Sequence, residues 1–109
     1  MSFRVELTAE AYADLERLMA WLEERSSLEA ANQFSERFFE ALSRLESEPL
    51  SCGLAYENRY AQREIRHLLF EPTKSRTYRA LFVIQGEAVK ILCIRAPGEK
   101  PVKRKDLQA

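Results

Sequence analysis

The sequence predicts an α+β fold in the order β-α-α-β-β-β, with a helical hairpin packed on one face of a mostly antiparallel sheet. The first observation is helical spacing of apolar residues over 9–45, in the first half of the chain. The second is a set of three strand-like runs, joined by short polar links, between residues 63 and 95. Helices early and strands late are typical of an α+β sandwich.

The chain begins with a predicted strand at 3–7, in which Phe3, Val5 and Leu7 alternate with polar residues. Thr8 follows, and its hydroxyl can cap a helix by accepting a bond from an amide of the first turn. The helix is predicted over 9–25 because one apolar stripe runs through it at helical spacing: Ala11, Leu15, Leu18, Met19 and Leu22.

A second helix is predicted to begin at Ser26, because Ser26 and Glu29 have the spacing of a capping box. It runs to about Leu45, and Pro49 ends the helical region. Its inner face consists of Ala31, Phe34, Phe38, Leu42 and Leu45. The short link between the helices implies an antiparallel helical hairpin.

The remaining strands are predicted to follow a loop over 50–61, in which apolar residues show neither helical nor strand periodicity. They lie at 63–70, 77–85 and 88–95. The link EPTKSR joins the first two, and QGE, with Gly86, forms a tight hairpin between the last two. A basic C-terminal tail over about 97–109 follows, and 109 residues are enough for one domain over 1–109 with one core.

Charge is divided unevenly along the chain. Residues 1–58 hold 5 Lys/Arg and 12 Asp/Glu, a balance of −7, whereas residues 59–109 hold 12 Lys/Arg and 5 Asp/Glu, a balance of +7. The basic half can present a cationic face to a polyanion or an acidic partner.

Several classes of protein are excluded by what the sequence lacks. No run approaches the roughly 18–20 apolar residues that a membrane span requires, and the N-terminus is no signal peptide. Cys52 and Cys93 do not have a metal-ligand spacing and are interpreted as free thiols in a reducing compartment. We therefore expect a cytoplasmic protein without membrane association, metal or cofactor.

Each of the three late strands carries an arginine where a core residue would be expected: Arg66, Arg79 and Arg95. If the helices cover one sheet face, these arginines can converge on the other and form an anion-facing surface. Whether they share a face depends on the strand register, which the sequence does not give. The alternative is that each lies near a strand end and extends to water or pairs with a glutamate.

Four stretches carry a resemblance to a known family: VELTAEAYADLERLMAWL, RLESEPLSCG, IRHLLF and YRALFVIQGEAVKILCIRAPGEKPVKRKDL. Members typically show an arginine-bearing strand, a tyrosine-arginine strand, a short glycine-containing hairpin and a last hydrophobic strand that leads into a basic segment. In this order and spacing the chain resembles the RelE/ParE superfamily, the toxins of bacterial type II toxin–antitoxin systems, often labelled plasmid stabilisation proteins.

The resemblance implies one of two activities. RelE-like members cleave messenger RNA on the ribosome without a metal, and the matching positions for holding the scissile phosphate are Arg66, Arg79 and Arg95. Guanidinium groups suit that role because their paired N–H donors stabilise phosphate charge. ParE-like members share the fold and inhibit DNA gyrase. Both imply a cognate antitoxin as partner, and with it a toxin–antitoxin hetero-oligomer.

The chain departs from the nuclease pattern at the acid–base position. No tyrosine or histidine follows Tyr78, and the single histidine, His67, is predicted to point away from Arg66. An unperturbed lysine is poorly matched to acid–base catalysis at pH 7.

The departure favours a ParE-like toxin or a non-toxic member over a nuclease, and the leading prediction is a growth inhibitor that binds gyrase. Its predicted target contacts are Arg66, Arg79, Arg95 and the tail residues Lys103, Arg104 and Lys105. The alternatives are an mRNA interferase that uses the three strand arginines as catalytic residues, and a non-toxic member that serves as an interaction module.

Overall fold

The computed structural model describes residues 2–73 and 76–107, excepting the side chains of residues 105 and 106. Two helices and four strands follow the predicted order: β1 (Arg4–Leu7), α1 (Ala9–Arg25), α2 (Leu28–Leu42), β2 (Arg66–Thr73), β3 (Arg76–Gln85) and β4 (Ala88–Arg95). Short 3-10 turns lie at Ser43–Glu46, Pro49–Ser51, Tyr56–Tyr60 and Arg104–Leu107. The predicted fold class is confirmed.

The sheet has the strand order β1-β4-β3-β2. Strand β1 pairs in parallel with β4, while β3 is antiparallel to both β2 and β4. Parallel strands need a long connection between them, and here the helical hairpin, β2 and β3 lie between β1 and β4 in the chain. Gly86, at φ +60°, makes the tight turn between β3 and β4, a conformation that residues with a Cβ rarely adopt.

Helix α1 has the bounds that the apolar stripe predicts, and Thr8 is its N-cap. The Thr8 hydroxyl accepts a hydrogen bond from the Ala11 amide at 3.2 Å. It also donates to the Ile91 carbonyl at 2.8 Å, so one side chain both starts the helix and fastens it to β4.

Thr8→Ala is expected to lower the free energy of unfolding by about 1.5–2 kcal/mol, because it removes a cap together with a partly buried tertiary hydrogen bond. Urea unfolding followed by circular dichroism measures the loss. Ser27→Ala is the matched control, since Ser27 caps α2 through the Ala30 amide at 3.0 Å in an exposed position, and it should cost only about 0.5–1 kcal/mol. Equal losses would contradict a tertiary role for Thr8.

Helix α2 begins one residue later than the capping box predicts, because Ser26 is the C-cap of α1. Its amide donates to the Leu22 carbonyl at 2.8 Å and closes the last turn of that helix. Ser27 is therefore the N-cap of α2, and the prediction of Ser26 was wrong. At its other end α2 tightens into the 3-10 turn that buries Leu45.

The helices cover one face of the sheet with an aromatic core. All five residues predicted for the inner face of α2 are buried. Four rings meet there with centroid separations of 5.0–5.8 Å: Phe34, Phe38, Phe70 and Tyr78. We call this sheet face the helix face.

The opposite face, which we call the loop face, is covered over much of its area. A second buried cluster lies on it, made of Ala55, Ile65, Leu81, Val83, Leu92, Val102 and Leu107. The segment before β2 and the C-terminal segment supply its outer residues. This cover is needed because β3 is apolar on both sides, and each side has to be buried.

Strand β2 differs from its predicted bounds of 63–70. It begins at Arg66 and continues to Thr73 through Pro72, with an irregular register between Phe70 and Thr73. The strand tolerates a proline because it lies at the edge of the sheet, where one side of the backbone needs no hydrogen-bond donor. Within the part of the chain that the structure describes, no helix is long and apolar enough to cross a membrane.

Candidate functional site

Two of the three predicted arginines lie side by side. Arg79 on β3 and Arg95 on β4 are directly paired in the antiparallel register. Arg79 alternates with Tyr78 and Ala80 of the helix-face core and therefore projects from the loop face, together with Leu81. Like charges opposite each other repel, so each guanidinium needs its own neutralising group.

Arg66 is not part of that pair. Its register partner is Phe82, a residue of the helix-face core, so Arg66 belongs to the opposite side of the sheet. Its guanidinium pairs with Glu64 at 2.8 Å and donates to the Cys52 carbonyl. The register, which the sequence left open, thus shifts Arg66 by an odd number of positions relative to Arg79 and places it on the other face.

Arg79 is held by a buried carboxylate. Its two terminal nitrogens donate to the two oxygens of Glu57 at 2.9 and 2.8 Å, a bidentate pair. Glu57 has no exposed surface, and a third bond reaches it from the Val102 amide at 2.9 Å. Burial raises the pKa of Glu57, but the bonds from Arg79 and Val102 outweigh it and lower that pKa to about 2.

Arg95 is neutralised by a neighbour in the chain. It donates to Glu99 at 3.0 Å, and the other oxygen of Glu99 accepts from the Ala96 amide at 3.0 Å and from Arg17 at 3.4 Å. Burial acts against ionisation of Glu99, yet the Ala96 amide and Arg17 bring its pKa below the ordinary value. Arg79 and Arg95 are about equally exposed, so the two pairs differ in their carboxylates: Glu99 is 27% exposed, whereas Glu57 is fully buried.

The Glu57–Arg79 pair fastens the C-terminal segment to the sheet. Glu57 binds the amide of Val102, and the Tyr60 hydroxyl donates to the carbonyl of the same residue. Val102 and Leu107 are buried in the loop-face cluster. The tail residues Lys103 and Arg104 are exposed, whereas the predicted Lys105 has a side chain outside the described residues.

The comparisons with known proteins give the family. The model of the family described as ParE toxin of type II toxin-antitoxin system, parDE, matches residues 5–100. The chain belongs to the ParE toxin family. The predicted RelE/ParE resemblance is thereby confirmed, and the chain is a ParE-like toxin of a type II toxin–antitoxin system.

A solved structure supports the fold of this ParE toxin. It is described as the chromosomal ParDE TA system from P. aeruginosa, and its matching chain aligns with a TM-score of 0.69 at 19% identity. The alignment covers 87% of this chain and 96% of that one. No curated protein matches the sequence.

His67 lies near Arg79 in the toxin. Its register partner is Leu81, so it shares the loop face with Arg79 and points away from Arg66, as predicted. Burial and then the charge of Arg79 lower the pKa of His67, which keeps the imidazole neutral at pH 7. Its Nδ1 atom has no hydrogen-bond partner within the described ranges.

Both cysteines of the toxin are free, as predicted, and neither is an activated nucleophile. Burial and the nearby Asp14 carboxylate raise the pKa of Cys93 to about 12. Burial also raises the pKa of the Cys52 thiol. Thiolates are the reactive form of cysteine, so both thiols are inert at neutral pH.

Glu57 is the residue of this candidate site that sequence reasoning missed. It lies in the segment interpreted as an aperiodic loop, where a glutamate is ordinarily exposed. No local pattern distinguishes it, because its partners Arg79 and Val102 are 22 and 45 residues away.

Proposed function

We propose that this toxin arrests growth by binding DNA gyrase and that it is not a ribonuclease. The observation that carries the proposal is the state of the two loop-face arginines. Arg79 is bound bidentately by the buried Glu57, and Arg95 is bound by Glu99. A scissile phosphate would have to displace a carboxylate of depressed pKa from each guanidinium, so these groups are poorly placed to stabilise its charge.

The exposed basic residues of the C-terminal segment are the better candidates for target contact. Lys103 and Arg104 are exposed on a segment whose backbone is fixed by Glu57 and Tyr60. A preorganised segment loses little conformational freedom on binding, which favours recognition of a macromolecular surface.

We also propose that a cognate antitoxin neutralises the toxin by direct binding. Support comes from the family and from the fold relative, whose structure is that of a ParDE system. An antitoxin rich in acidic residues would complement the basic half of the chain, so the association should be fast and should weaken as salt increases.

The proposal is tested in two assays. In cells, induction of the toxin should stop DNA synthesis, measured by pulse-labelling, while protein synthesis continues. With purified components, the toxin should inhibit supercoiling of relaxed plasmid by gyrase and leave messenger RNA on ribosomes intact.

The runner-up is a ribosome-dependent endoribonuclease, and His67 beside Arg79 is the observation in its favour, because a neutral imidazole can take a proton. In that case protein synthesis would stop first, messenger fragments would appear, and His67→Ala would abolish them. If neither synthesis rate changes, the chain is a non-toxic interaction module.

A further inference from the structure

A basic pocket lies between the segment before β2 and the C-terminal 3-10 turn. It has a volume of about 550 Å³. Ala61, Ile65 and Leu107 supply apolar wall, and Arg63 and Arg104 are the charged residues of the lining within the described residues. We call it the Arg63 pocket.

The two arginines of this pocket differ from those on the strands. Arg66, Arg79 and Arg95 each have a glutamate partner. Over residues 2–73 and 76–104, by contrast, neither Arg63 nor Arg104 forms an ion pair, and the Nη2 atom of Arg63 is buried without any hydrogen-bond acceptor. A buried donor without an acceptor costs free energy, so the described part of the chain leaves the Arg63 guanidinium only partly satisfied.

The walls of the pocket are held by the same contacts that hold the C-terminal segment. Tyr60 donates to the Val102 carbonyl, and the Ile65 amide donates to the Asn58 side chain at 3.0 Å. Ile65 and Leu107 are buried in the loop-face cluster. The pocket is therefore largely preformed, as ligand sites usually are.

We infer that the Arg63 pocket binds an aspartate or glutamate side chain from an acidic, apolar-flanked segment of a protein partner. Guanidinium groups pair with carboxylates through parallel N–H donors, and the wall of Ala61, Ile65 and Leu107 suits flanking apolar side chains. Tyr60 is the single aromatic residue of the described lining, and its hydroxyl is bonded to the Val102 carbonyl. A nucleic-acid strand would need cations along a groove and several aromatic faces for its bases. The inference rests on the proposed binding of an acidic antitoxin, for which it names a contact site, and it does not depend on gyrase as the target.

The experiment is a titration of the full, ¹⁵N-labelled chain, followed by NMR of the backbone and arginine side-chain resonances. The probe is a short synthetic peptide with one glutamate flanked by leucines, and its matched peptide carries glutamine instead. The glutamate peptide should shift the signals of Arg63, Arg104 and Leu107. Arg63→Gln and Arg104→Gln should each weaken its binding about tenfold, since each removes a charge-assisted hydrogen bond.

Arg59→Gln is the control variant. Arg59 stacks on the ring of Tyr56 at 4.0 Å on the same segment and does not line the pocket. Arg59→Gln therefore removes the same positive charge from a position outside the pocket. It should leave the affinity within about twofold. Arg104 is exposed, so its substitution tests the pocket even if Arg63→Gln impairs folding.

Two results would overturn the inference. One is equal binding of the glutamate and glutamine peptides, or affinity that is unchanged in both arginine variants. The other is a single-stranded RNA oligonucleotide that binds the pocket more tightly than the peptide and is weakened by the same two substitutions.

Discussion

Arg79→Ala is expected to lower the free energy of unfolding by about 3 kcal/mol. The substitution leaves the Glu57 carboxylate buried, and among the described residues the Val102 amide is then its one partner outside its own segment. A charge stripped of its counter-ion in the interior is strongly destabilising, more so than the original pair was stabilising. Urea unfolding of the purified chain at neutral pH measures the loss.

Arg95→Ala is the matched control for this prediction, because Arg95 is the register partner of Arg79. Its ion pair with Glu99 is about a quarter exposed, so the cost should be only about 1 kcal/mol. The double variant Arg79→Ala/Glu57→Gln should be more stable than the sum of its single changes, since the amide removes the stranded charge. Equal losses at Arg79 and Arg95 would refute the argument from burial.

Protonation of Glu57 in acid should markedly lower the free energy of unfolding of the toxin. The pKa of Glu57 is about 2 in the folded chain, against an ordinary 4.5. A depressed folded-state pKa means that the stabilisation is complete above about pH 4.5 and is lost as the pH falls toward 2. The shift corresponds to roughly 3 kcal/mol. Urea unfolding at a series of pH values between about 6 and 2 measures it.

Glu57→Gln tests the assignment, because an amide does not titrate over this range. The variant should be less stable than the natural chain at neutral pH and should lose much less stability on acidification. Glu99→Gln is the comparison, since the pKa of Glu99 is lowered too but the group is partly exposed. If the Glu57→Gln variant lost as much stability on acidification as the natural chain, the loss would have to come from other carboxylates.

The helical half of the fold could be predicted closely because its determinants are local. Thr8 caps α1 through an amide three residues away, and the apolar stripe of α2 correctly predicts that Phe34 and Phe38 are buried. The start of α2 was misplaced by one residue because two adjacent serines can both cap, and the bond that the Ser27 hydroxyl accepts from the Ala30 amide decides between them.

The site was harder to predict because its determinants are tertiary. The face of Arg66 depends on the register with β3, which no local pattern encodes. The role of Arg79 depends on Glu57, a glutamate in a segment without periodicity. Arg63 could not be predicted as a site residue either. What distinguishes it is a buried nitrogen without a hydrogen-bond acceptor, and that depends on how the C-terminal segment folds over it.

The pairing of β1 with β4 has a consequence for the order of events during synthesis. Residues 4–7 are synthesised long before their partners, residues 88–91. The helical hairpin therefore emerges before the strands β2 and β3 that bury its phenylalanines, and the sheet cannot be completed until β4 has also emerged. A nascent chain released before β4 would expose apolar surface and unpaired strand edges, and it would be prone to aggregation.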